Sequence, residues 1–113
     1  MKFLCLAYGD EAGLNRLSAS DKDEAFAADA DIRARGNLMS AVRPEVSTVT
    51  NWDGNIRLTD TPYAKHALAL AGFSVIEAQT LDEALRLVAK TPCARADGYI
   101  EVRALWEPAP TSA

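Results

Sequence analysis

A strand–helix–strand pattern occurs twice in this chain, once near each end, and it constrains the fold more than any other feature. The second copy is the sharper. Gly72 to Ala78 is an apolar strand-like run, and Thr80-Leu81-Asp82-Glu83 follows as a capping box, with threonine at the N-cap and glutamate three residues on. The helix it starts carries Leu81, Ala84, Leu85, Val88 and Ala89 on one face, at helical spacing. Lys90-Thr91-Pro92 ends that helix, and Tyr99 to Leu105 alternates as a closing strand. In the first copy, residues 2 to 8 form a short apolar strand ended by Gly9-Asp10, and residues 11 to 19 read as a connection. A helix is expected from Asp21 to Arg35, with Ser20 as its N-cap, acids in its first turn, arginines in its last and Gly36 beyond. Its buried stripe is thin (Ala25, Ala28 and Ile32), and Asp29 falls on the stripe's edge. Leu38 to Val42 completes the unit as a strand.

Between the two units lies a hairpin. Val46 to Trp52 alternates and is β-branched, Asp53-Gly54 is a tight-turn signal, and Asn55 to Leu58 returns. Thr59 to Ala71 reads either as a short helix opened by Asp60-Thr61-Pro62 or as an irregular lead-in to the next strand. Without the hairpin the order is βαββαβ, so the expected class is α+β, a ferredoxin-like antiparallel sheet with an inserted hairpin. Helices would cover one sheet face. Several strands are apolar on both sides, so a second copy is expected to cover the other, giving a homodimer.

The chain has 113 residues, enough for one domain. Residues 1 to 106 are expected to form it, with 107 to 113 a disordered tail rich in proline, alanine and small polar residues. A net charge of −4 with scattered lysines and arginines argues against nucleic acid or an anionic membrane as the main partner. No stretch approaches the ~20 apolar residues of a membrane span. The apolar start is short and lacks a small-residue cleavage site, so it reads as a strand rather than an export signal. Cys5 and Cys93 have neither CxxC nor metal-ligand spacing and read as reduced thiols, one buried and one in a loop. No P-loop, dinucleotide, zinc-protease or nucleophile-elbow motif is present.

Several segments together resemble a known family. Tyr8-Gly9-Asp10 closes the first strand, and Thr59-Asp60-Thr61-Pro62-Tyr63-Ala64 resembles a TDGPFAE-type motif. Gly72-Phe73-Ser74-Val75-Ile76-Glu77-Ala78 with Leu81-Asp82-Glu83-Ala84-Leu85 resembles GFYLIEA then LDEAL, and Gly98 to Arg103 resembles a closing G-x-IEVRPL strand. In order and spacing these are similar to the YCII-related family, in its DGPF-motif branch, over residues 1 to about 106. The resemblance implies a dimeric α+β barrel and a bacterial cytosolic protein. It implies a small-molecule binder or acid–base enzyme that uses no metal or organic cofactor. The alternative it implies is a non-catalytic binding or regulatory dimer, linked to extracytoplasmic-function sigma factors. The chain departs from the motif. Thr61 stands for its glycine, Tyr63 for its phenylalanine, Lys65 for a glutamate, and Ala67 and Leu68 for a lysine and a glutamate. The family's proposed dyad histidine lies in the first helix, where this chain has none.

Asp60 is the foremost catalytic candidate, either as a base at a pocket mouth or simply as a turn former or cap. His66, the only histidine, is the second, and a surface or structural role competes with a pairing to Asp60. Tyr8, Asp10 and Tyr63 are candidate ligand-binding residues, with core packing and turn capping as the plain readings of the first two. Arg43 and Arg103 could meet an anionic ligand or pair with Glu101 and Asp10 on the surface. Trp52 and Trp106, near strand ends, suit either an interface or the core.

Overall fold

The computed structural model describes residues 1–107, and the expected tail lies, apart from Glu107, outside them. The chain runs β1 (Lys2–Tyr8), α1 (Glu11–Asn15), α2 (Ala19–Ala34), β2 (Leu38–Ala41), β3 (Thr48–Trp52), β4 (Asn55–Thr59), β5 (Leu70–Glu77), α3 (Leu81–Val88), α4 (Pro92–Arg95) and β6 (Tyr99–Ala104). Four strands make one sheet in the order β2-β5-β1-β6, and each pairing is antiparallel. With the hairpin set aside, this is the split βαβ order of a ferredoxin-like fold. The hairpin β3–β4 forms a separate two-stranded sheet.

Strand alternation divides the main sheet into two unlike faces. Phe3 and Cys5 of β1 and Ile76 of β5 turn toward the helices and pack with Ile32, Ala84 and Val88. Phe3, Ile32 and Ile76 are fully buried, each stabilising the fold by about 1.5–3 kcal/mol relative to exposure. The thin alanine stripe lets α2 lie close to the sheet, with Ala25 and Ile32 fully covered. Leu4, Leu6, Phe73 and Val75, on the alternate positions, form the other face and are only half-buried. Among the described residues no helix covers them. The molecule is a slab 20 Å thin, the depth of one sheet and one helix layer.

Local signals moved several boundaries. The first long helix begins at Ala19 rather than Asp21, because Ser18, not Ser20, accepts the Asp21 amide at 3.1 Å. The connection over residues 11 to 19 contains α1, whose first turn is held by the Asp10 carboxylate. Cys93 is not in a loop but in the short helix α4, which has Pro92 in its first turn. On α3 the inward residues are Ala84, Leu87 and Val88, while Leu81 and Leu85 remain exposed. Residues between Thr59 and Leu70 form no helix. Their backbone is tied down by side chains and strand ends instead: the Thr48 hydroxyl donates to the Thr61 carbonyl at 2.6 Å, and the Gly9 amide donates to the Ala69 carbonyl at 3.1 Å. No helix is long and apolar enough to cross a membrane among the described residues.

Candidate functional site

Tyr8 ends β1 on the helix-free face, opposite Tyr99 of β6. Its ring stacks on Tyr99 at 5.0 Å between centroids and meets the tilted His66 imidazole at 4.6 Å. The segment after the hairpin delivers His66 to that position. It leaves β4, turns at Thr61-Pro62, sets Tyr63 edge-on against Trp52 at 6.4 Å, and rejoins the sheet beside Gly9. This arrangement leaves a cavity of about 880 Å³ lined by Tyr8, Arg43, Asp60, Tyr63, Lys65 and His66, among others.

Five of the seven candidate residues therefore line one space, although they are spread over 59 positions of sequence. Asp10 and Arg103 do not line it. Asp10 is the N-cap of α1, its Oδ1 accepting the Gly13 amide at 2.8 Å, so the capping reading describes it. Arg103 sits on β6, across from Leu4 on the helix-free face. Neither Arg43 nor Arg103 makes an ion pair among the described residues, so the expected pairing with Glu101 and Asp10 does not form. Trp52 and Trp106 are both exposed, which removes them from the core.

Burial holds the Tyr8 phenol above its usual range, and the neighbouring Glu101 carboxylate raises it further, against a smaller opposing effect of Arg103. Tyr8 is only 6% exposed. Its hydroxyl is a proton donor at neutral pH. A ligand in the cavity would meet an aromatic floor, a phenol donor, a carboxylate at Asp60 and cationic groups at Arg43 and Lys65. His66 adds a ring that can both accept and donate. Among the described residues no group of three or more His, Cys, Asp or Glu side chains is arranged to hold a metal ion.

A second cleft was not read from the sequence. It lies between the helices and the sheet, with a volume of about 500 Å³, and Phe26, Asp29, Arg33, Met39, Ser74 and Cys93 are among its lining residues. Burial raises the Asp29 carboxyl, with Arg33 one turn later offsetting part of the effect. Burial also raises the Cys93 thiol, and the Asp29 charge raises it further. The signal available in sequence was the position of Asp29 at the edge of the apolar stripe. What concealed the cleft was α4, which brings Cys93 up to the sheet.

A YCII-related domain matches residues 1–108. The chain belongs to the YCII-related family. No curated protein matches it. A solved structure of 5-chloro-2-hydroxyhydroquinone dehydrochlorinase (TftG) from Burkholderia phenoliruptrix AC1100, in complex with 2,5-dihydroxybenzoquinone, is similar at 15% identity with a TM-score of 0.47, over 95% of this chain and 94% of that one.

Proposed function

We propose that this YCII-related protein, of the DGPF-motif branch, binds a small organic molecule in the cavity at the end of β1. Asp60 and His66 are its acid–base pair, and Tyr8, Tyr63 and Arg43 its binding residues. One observation carries this reading. The altered motif segment, though exposed, folds back toward the end of β1, so that the His66 ring lies 4.6 Å from the ring of buried Tyr8 and Asp60 lines the same cavity. The chemistry that fits is proton transfer on a planar, anionic or phenolic molecule. An aromatic floor and two cations favour such a ligand, and Tyr8, His66 and Asp60 supply donor and acceptor groups without a cofactor. The reduced thiols and the dispersed charge fit a cytosolic protein.

A thermal-shift screen against a metabolite library tests this. Compounds that raise the melting temperature of the wild type are expected to lose most of that effect with Asp60→Asn and His66→Ala. Shifts left intact by both substitutions would sink the assignment. A non-catalytic dimer is the second reading, favoured by the exposed apolar residues Val49, Ile56 and Leu58. Turnover of a bound compound, abolished by His66→Ala, separates the two.

A further inference from the structure

Helix-facing side chains shrink along the middle of the main sheet. Phe3 of β1 stands opposite Ile76 of β5, then Cys5 opposite Ser74, then Ala7 opposite Gly72. Phe3 and Ile76 are fully buried under the helices. Beyond them the four small residues leave the helix layer standing off the sheet, and the result is the cleft of about 500 Å³ described above. That volume suits a small organic molecule. α2 forms one side of it through Phe26, Asp29 and Arg33, and α4 another through Pro92 and Cys93. A smaller cavity of about 240 Å³ shares Leu14, Ala71, Pro92 and Cys93 with it, so apolar space continues past α4 toward α1.

Two charged side chains line this cleft, one of each sign. Asp29 is half-buried and Arg33 is exposed. They lie four positions apart on α2, the spacing at which opposite charges on a helix meet. At the same spacing Asp31 and Arg35 of α2 close to 2.9 Å, and Asp82 and Arg86 of α3 close to 2.8 Å. Asp29 and Arg33 do not close, and among the described residues neither makes an ion pair. A carboxylate drawn out of water without a partner is unfavourable, so a group that answers it there binds with gain.

Charge complementarity selects the occupant. An ammonium alone would answer Asp29 but meet the like charge of Arg33, and a carboxylate alone would answer Arg33 but meet Asp29. A ligand that carries both groups on one carbon answers both side chains, one helical turn apart. The rest of the lining, with Phe26, Met39, Val88 and two thiols, is apolar and polarizable and accepts an apolar side chain.

We propose that the helix-side cleft is a second ligand site, for a zwitterion with an apolar body of the hydrophobic α-amino acid class, in which Asp29 holds the ammonium and Arg33 the carboxylate. The site is separate from the Tyr8–His66 cavity, with which it shares no lining residue.

Calorimetric titration of the full chain with L-leucine, L-methionine and L-phenylalanine tests it. At least one of them is expected to bind saturably at millimolar concentration. Its counterparts without the ammonium or without the carboxylate (isocaproate and isoamylamine for leucine) are expected to bind at least about tenfold more weakly, since each leaves one charge unanswered. Asp29→Asn and Arg33→Gln, which remove no core side chain, are expected to weaken the amino acid by a similar factor. The bound amino acid is also expected to slow the reaction of wild-type Cys93 with a disulfide reagent, which places it in the cleft. Absence of saturable binding by all three amino acids overturns the proposal. So does a counterpart that binds as tightly as its amino acid, binding unaltered by Arg33→Gln, or a Cys93 left unprotected. The cavity at the end of β1 is tested apart from this site, because His66→Ala is expected to leave amino acid binding unchanged. Binding lost with His66→Ala would assign it to that cavity and overturn the second site.

Discussion

Asp29 occupies the middle of α2 with its carboxyl turned into the helix-side cleft, where burial disfavours its charge. The consequence for stability has a definite sign. A carboxyl whose pKa is higher folded than unfolded costs stability when ionised, and the cost disappears as pH falls through the folded pKa toward the ordinary value of 3.8. Asp29→Asn is therefore expected to raise the melting temperature at pH 7, by less than about 1 kcal/mol in stability after solvent screening, and to change nothing at pH 3. Because the Asp29 charge also suppresses Cys93 ionisation, the same substitution is expected to speed reaction of Cys93 with a disulfide reagent at pH 8. Gly98 shows the opposite kind of constraint. A Cβ there would collide with the backbone carbonyls of Tyr8 and Cys93, so Gly98→Ala is expected to cost at least 2 to ~4 kcal/mol in chemical denaturation and to disturb the seat of Tyr8. Residues of this kind were partly legible in sequence. Tyr8, Arg43, Asp60, Tyr63 and His66 gather because motif order placed them at strand ends and in the segment leading back to the sheet. Asp10 stands apart from them on the capping reading, because an aspartate just before a helix holds its first turn.

Elements were legible where their signals are short-range. The Thr80–Glu83 box forms with one shift: the threonine hydroxyl accepts the Glu83 amide at 3.1 Å, while the Glu83 carboxylate accepts the amide of Gln79, one residue before the cap, at 3.0 Å. Thr80→Ala is expected to lower stability by about 1 kcal/mol in urea titration, since one helix-end donor loses its partner. The tight turn at Asp53-Gly54 is of the same kind. α4 was not legible, because four residues carry no periodicity and what fixes them is distant. Arg95 reaches back to α2, donating to the Asp21 carboxylate at 3.0 Å and to Glu24 at 3.2 Å, across more than seventy positions. The contact is half-buried and therefore screened less than a surface pair. Arg95→Ala is expected to cost about 1 kcal/mol and to loosen α4 first, seen as faster amide exchange at Arg95 and Ala96. The stretch from Thr59 to Leu70 was ambiguous for a related reason. Its apolar residues suggest a helix, but its ends are pinned to the hairpin and the sheet, and its aromatic residues find partners only when it is irregular.

At the scale of the molecule, the sheet order follows from two strand–helix–strand units and a short list of allowed connections, which is why the architecture was readable from so few signals. What periodicity could not supply was the fate of the apolar residues left over. Leu4, Leu6, Phe73 and Val75 on the sheet, and Val49, Ile56 and Leu58 on the β3–β4 hairpin, are surplus to the protomer core. If a second copy uses them, folding and association are one equilibrium, and stability must depend on protein concentration. Each tenfold rise in concentration adds about 1.4 kcal/mol to the free energy of unfolding a dimer into two unfolded chains. The wild-type melting temperature is accordingly expected to climb by a few degrees per decade of concentration in scanning calorimetry, while Ile56→Asp with Leu58→Asp melts at a temperature independent of concentration. A flat wild-type series would mean that the surplus apolar surface stays exposed in solution. The broad sheet face would then need a different partner, and the cavity at its end would stand open to water.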